Sequence, residues 1–394
     1  MDAPGEQQRL NREIWEATRG TSYDEALQHI SAVRDTASSA ASATVELPTG
    51  WSIGPAGTQI AVGTFPFAAA LYGNKIVTVD SGYSSSTQTV SVVDPTSGTT
   101  INTLTFQNLF PSLTPALGGD LLISGGQSNL IYRYNSSFQE VQTYSLPGYA
   151  AGVAPIDDTH FAALYSEVSG VGISRPGHLV VIDASTGATQ GDALLGSFEA
   201  YSVSNVDGKL YVTIPASNSV LVFDTALNQL ASIPVGATPL NACSYGRYLY
   251  VINSNSDSIS VISSATDQVR ATFDVRFPNS NQPFGAAATA CSVDAGTIYV
   301  TFAQTNSVGL FDRTTGASKG YIPTGWYPTA IVSNDNLLAV VSPKGIRPRR
   351  PNPDGTYVLT LLQGSVGVIR KSQIAENLNS RVRQALALTN GRAA

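Results

Sequence analysis

Between Ala200 and Asp312 short β-branched and aromatic runs alternate with polar turns, and one pattern recurs three times. Leu210-Tyr-Val-Thr-Ile leads to Asn218-Ser-Val-Leu-Val-Phe-Asp. Leu249-Tyr-Val-Ile-Asn leads to Asp257-Ser-Ile-Ser-Val-Ile, and Ile298-Tyr-Val-Thr-Phe to Asn306-Ser-Val-Gly-Leu-Phe-Asp. Two apolar runs around an Asn/Ser turn make a β-hairpin. A lone hairpin leaves its faces exposed, so recurrence at about 40–50 residues predicts stacked four-stranded blades, a β-propeller.

Counting outward from these copies gives seven units. The first three span Thr64–Phe106, Gln107–Gly148 and Tyr149–Phe198; the next three end near Gly236, Asn281 and Gly325. The seventh runs from Trp326 to about Lys371. Thr58-Gln-Ile-Ala-Val-Gly63 resembles the last strands Leu230–Gly236 and Gly320–Gly325. A chain that opens on a last strand must lend it to its final blade, which closes the ring and covers an open edge. The propeller is therefore expected over 44–371.

Residues 1–43 read differently. Gln7–Thr18 and Tyr23–Ala37 have helical spacing, with Gly20-Thr-Ser as break and N-cap. They form either an appendage packed on the propeller or a docking element. Residues 372–394 place Ile374, Leu378, Val382 and Leu386 at helical spacing, an amphipathic C-terminal helix.

Of 394 residues, 13% are charged and the net charge is −6. This suits many short strands and tight turns, and it gives no general attraction to nucleic acid or an anionic membrane. No apolar run is long enough to span a bilayer. A charged stretch stands where a leader would, yet low Lys and abundant Ser and Thr resemble an exported, mature chain. Cys243 and Cys291 hold equivalent places in adjacent units. Equivalent positions on neighbouring blades usually exceed the Cα separation a bridge allows, so both are expected as reduced, buried thiols.

At Leu210-Tyr-Val-Thr and Leu249-Tyr-Val-Ile-Asn the repeats resemble the YVTN family of β-propellers, over residues 58 to 370. Blade seven adds Gly325-Trp-Tyr-Pro-Thr-Ala, Ser342-Pro-Lys-Gly, Asn352-Pro and Leu361-Leu-Gln-Gly-Ser-Val-Gly-Val-Ile, with Leu47-Pro-Thr-Gly-Trp near the start. These are similar to bacterial proteins that join such a propeller to an alkaline-phosphatase-type phosphoesterase. The sequence stops where that domain would begin, so its metal ligands and nucleophile have no counterpart here. The resemblance implies a propeller with a binding role.

Candidate chemistry is sparse. The three histidines and two cysteines have no metal-ligand spacing, and neither a G-x-S-x-G elbow nor a P-loop occurs. No metal or cofactor is expected. Asp94, Asp183, Asp224 and Asp312 end third strands, where a carboxylate caps the following turn. Two turns between second and third strands are long, Ser166–Gly177 and Ser342 to about Thr356. They open on the face where innermost strands begin, near Phe65, Phe110, Tyr149, Phe198, Phe284, Trp326 and Tyr327. These aromatics either pack between blades or ring a ligand-binding mouth. Lys344, Arg347, Arg349 and Arg350 crowd the blade-seven loop among prolines, suited to carboxylate or phosphate or else solvated and salt-bridged.

The preferred reading is a non-catalytic binding or scaffold propeller of an exported bacterial protein, its long-loop face meeting a protein or anionic partner. Its site would comprise Arg175, His178, Trp326, Tyr327, Lys344, Arg347, Arg349 and Arg350. The alternative is a lyase or hydrolase at the channel mouth, using His178, Glu167 and Arg175 for acid–base work.

Overall fold

The computed structural model describes residues 44–47, 52–82, 88–116, 118–167, 176–196, 199–276, 285–347 and 362–374. Among them lie seven four-stranded antiparallel sheets and a two-stranded ribbon, Val45–Glu46 with Ser52–Ile53. The chain is a seven-bladed β-propeller, as the repeats predict. In blades 1 to 6 the strands pair in chain order, and innermost strands of successive blades touch around the central channel.

The seventh blade consists of Ala330–Ser333, Leu337–Ser342, Ser365–Arg370 and, outermost, Thr58–Ala61. Ile60 lies opposite Val366 and Thr58 opposite Val368, the expected closure.

Seven apolar clusters fill the seven gaps between blades, the last joining blade 7 to blade 1. Second strands are buried along nearly their whole length because each faces two gaps. Leu210, Val212 and Ile214 pack against blade 3, while Tyr211 between them packs against blade 5. Fourth strands face solvent on one side and alternate, as in Gln268–Asp274.

The turn carboxylates cap as the sequence suggests. Asp94 accepts from Thr96 N–H at 2.9 Å, and Asp312 from Thr314 and Thr315 N–H at 3.0 Å each. These donors stabilise the anion and hold Asp312 and Asp183 down at about 2. On the upper face, where innermost strands begin, Asn218 and Asn306 have φ of 51°. Their side chains accept the N–H of Thr238 and Tyr327 in the next blade, both at 2.9 Å. Blades 4 and 6 thus pin their successors.

Where blade 1 meets the closure strand, the buried Asp80 accepts from Gly63 N–H (3.1 Å), Thr78 Oγ1 (2.7 Å), Thr89 Oγ1 (2.9 Å) and Ser91 Oγ. A Cβ on Gly63 would sit 2.4 Å from an Asp80 oxygen, so only glycine allows this approach. Burial outweighs these four donors and pushes the Asp80 carboxyl up to about 6.

The thiol expectation is overturned. Cys243 and Cys291 form a disulfide, with Cα atoms 5.8 Å apart. Both lie on innermost strands, Pro239–Tyr245 and Ala288–Val293, and blades converge toward the channel until this separation is within reach of a bridge. Thiol labelling of the denatured, unreduced chain should therefore count no thiols, and finding two would refute the bridge. With the cysteines 48 positions apart, the chain-entropy treatment makes loss of the bridge in Cys243→Ser/Cys291→Ser destabilising by about 4 kcal/mol.

The two expected N-terminal helices lie outside the described residues, as does the C-terminal helix beyond Ile374. Residues 371–374 are helical, and Ile374 is buried between blades 6 and 7.

Candidate functional site

Blade seven brings three of the expected residues together. The Gly325-Trp-Tyr-Pro segment crosses the upper face into the innermost strand, and Tyr327 takes a φ of 65° there, fixed by Asn306. The turn after Leu337–Ser342 folds back over it, with Trp326 N–H donating to Gly345 O at 2.6 Å and Lys344 N–H to Trp326 O at 3.3 Å. These bonds set Lys344 Nζ 5.0 Å from the Trp326 ring centroid and 4.3 Å from that of Tyr327.

Lys344 is half-buried and forms no ion pair among the described residues. Burial pushes its ammonium below the ordinary lysine range. Ring faces attract a cation but supply only about 0.5–2 kcal/mol, so most of its lost hydration is unreplaced. Arg347 is also half-buried and already engaged. Arg349 and Arg350 lie outside the described residues.

His178 belongs elsewhere. It begins the third strand of blade 3, opposite Tyr165 on the second strand and Leu194 on the fourth. Its ring stacks on Tyr165 at 4.5 Å and 11°. Nδ1 meets Asp192 Oδ1 at 2.7 Å and Nε2 meets Glu167 Oε1 at 3.2 Å, while Tyr165 Oη donates to Asp192 Oδ2 at 2.6 Å. The sequence proposed His178 with Glu167, and the structure does join them. It places them two strands out from the channel, however, and adds Tyr165 and Asp192, which only strand register reveals. An imidazole held between two carboxylates suits a clamp more than a base facing a channel substrate. Arg175, the third member of that set, lies outside the described residues.

The aromatic ring at the mouth is partial. Phe110 packs edge-on against Tyr149 (5.8 Å) and Tyr201 (6.0 Å), joining blades 2, 3 and 4, and Phe65 is buried beside Phe67. Phe198 and Phe284 are outside the described residues. Among the described residues, no group of three or more His, Cys, Asp or Glu could hold a metal ion, and no helix is long and apolar enough to cross a membrane.

No protein-family model matches the chain, and no curated protein matches it. Solved structures do. A streptogramin B lyase superposes with a TM-score of 0.56 at 14% identity, over 79% of this chain and 96% of that one. U3-55K does so with 0.61 at 10% identity, over 78% and 95%. Kuenenia stuttgartiensis hydrazine synthase gives 0.59 at 15%, over 79% and 96%. What is shared is the propeller. Such different proteins on one architecture, at these identities, fix the fold and leave the chemistry to the residues.

Proposed function

We propose that this chain is the propeller of an exported bacterial protein and acts as a non-catalytic binding module. It holds an anionic group of a protein partner at the upper face of blade 7. The observation that carries this reading is Lys344, half-buried between Trp326 and Tyr327 with no carboxylate paired to it among the described residues. A carboxylate or phosphate arriving there restores what burial removed, and the two rings fix the ammonium in advance. The Cys243–Cys291 bridge supports an oxidising compartment, since disulfides are rare in reducing cytosol. The resemblance of the repeats to YVTN propellers points the same way.

The test is affinity capture from the source organism with wild-type and Lys344→Met baits. Methionine keeps the apolar stem between the rings and removes the charge, so the melting midpoint should hardly change. A partner held by wild type should bind the variant more weakly by about tenfold or more. Its affinity should also fall as salt rises. A partner bound equally by both baits would remove Lys344 from the interface. Turnover in a substrate screen that disappears on mutating one upper-face residue would establish an enzyme instead.

A further inference from the structure

The lower face, where innermost strands end, carries a second and differently built surface. In blade 5 the turn between first and second strands is Tyr245-Gly-Arg-Tyr248. Arg313, from blade 6, lies over the exposed Tyr245 ring with its guanidinium carbon 4.5 Å from the centroid, and its Nε donates to Ala295 O at 2.9 Å. Arg270, from the outermost strand of blade 5, sits 5.5 Å from the Tyr248 centroid and donates to Tyr248 Oη at 2.6 Å. Arg247 stands between the two tyrosines and is exposed. Guanidinium and phenol groups thus alternate across two neighbouring blades, which the Cys243–Cys291 bridge ties together just above.

The charge here is unbalanced. On the lower face of blades 4 to 6, Asp267 pairs with Lys209 at 2.6 Å, Asp294 with Lys371 at 2.8 Å and Asp312 with Lys319 at 3.2 Å. Asp207 accepts from Ser264 Oγ. None of Arg247, Arg270 and Arg313 has a carboxylate within 4.0 Å among the described residues. On a chain of net charge −6, these three guanidiniums have no carboxylate to balance them among the described residues. Two are already held against rings, so less rotamer freedom remains to be lost on binding.

We propose that this strip binds an acidic polysaccharide. Three guanidiniums from turns and an outer strand of two blades, two of them held against rings, match an extended polymer, whereas small ligands favour concave sites. The forks suit carboxylate or sulfate, the anions such a polymer carries. Single-stranded nucleic acid also combines anions with flat rings. The oxidising compartment that the Cys243–Cys291 bridge supports favours glycan over nucleic acid.

The experiment titrates the whole protein with a labelled heparin oligosaccharide, and with poly-glutamate and single-stranded DNA of matched charge. The heparin oligosaccharide should bind most tightly, with affinity falling as salt rises. Arg247→Ala/Arg270→Ala/Arg313→Ala should weaken it by at least about tenfold. The corresponding triple Lys variant should keep the salt dependence and still bind less tightly than wild type, because lysine lacks the planar fork. Arg276→Ala, at the upper end of blade 5 and paired with Asp274, should bind it as wild type does, which assigns the effect to this strip. Should the triple Ala variant not fold, Arg247→Ala carries the test alone with a loss of about threefold, since no described group holds that side chain. No binding at low salt, or binding indifferent to these substitutions, overturns the proposal. Tighter binding to DNA or poly-glutamate assigns the strip to that polymer and overturns the polysaccharide.

Discussion

A chain lacking residues 44–63 is expected to give no cooperative melt near that of the parent and to leave the monomer peak on gel filtration. The deletion exposes what Leu47, Ile53, Ile60 and Val62 cover, all of them buried. At about 1.5–3 kcal/mol for each side chain, the gross loss is roughly 6–12 kcal/mol, comparable to the whole stability of an ordinary domain. It also strips Ser365–Arg370 of its outer partner and leaves a ladder edge open to other chains. The measurement is a thermal scan beside size-exclusion chromatography. An unchanged midpoint in a monomeric truncated chain would refute the closure.

The second large effect is expected at Asp80. Replacing it by Ala leaves Gly63 N–H and the hydroxyls of Thr78, Thr89 and Ser91 without their acceptor. The expected loss is about 3 kcal/mol or more, because unsatisfied buried donors cost about 1–3 kcal/mol each. The pH dependence has a definite sign. Burial pushes the Asp80 carboxyl up to about 6 in the fold, from an ordinary value of 3.8. Between those values the folded chain keeps a proton that the unfolded chain releases, so stability falls as pH rises from about 4 to about 6. The contribution is complete below 3.8 and lost above about 6, an amount on the order of 3 kcal/mol. Asp80→Asn can still accept from Gly63 and carries no charge, so its stability should be flatter across that window. Denaturant midpoints at pH 4, 5, 6 and 7 decide this, and equal slopes in both proteins would remove Asp80 as the cause.

The architecture was legible because each unit repeats the same local choices. β-Branched alternation and an Asn or Asp before the third strand recur in Leu210–Asp224, Leu249–Ile262 and Ile298–Asp312, and the blade count follows. Closure was legible in Thr58–Gly63 because a last strand has its own signature. The disulfide was not, because sequence gives equivalent places on two blades and says nothing of distance from the axis. Trp326, Tyr327 and Lys344 could each be noticed, but their clustering depends on the turn folding back through Gly345. The lower-face strip escaped notice for a similar reason, since Tyr245, Arg270 and Arg313 come from separate turns and strands. Asp80 left one signal: it ends its second strand where Ser124, Ser166, Asn253 and Ser342 end theirs.

The closure also orders events in time. Ser365 Oγ reaches Gln59 Oε1 at 3.5 Å across 306 positions of sequence, while the other six blades form from neighbouring segments. The first blade strand in chain order is thus the last to find its partner. Six hairpin-rich units can condense quickly, and the ring must then wait for one encounter across nearly the full contour of the chain. Until that encounter the molecule is an open spiral with two exposed ends, and its lifetime in that form is set by loop-closure entropy.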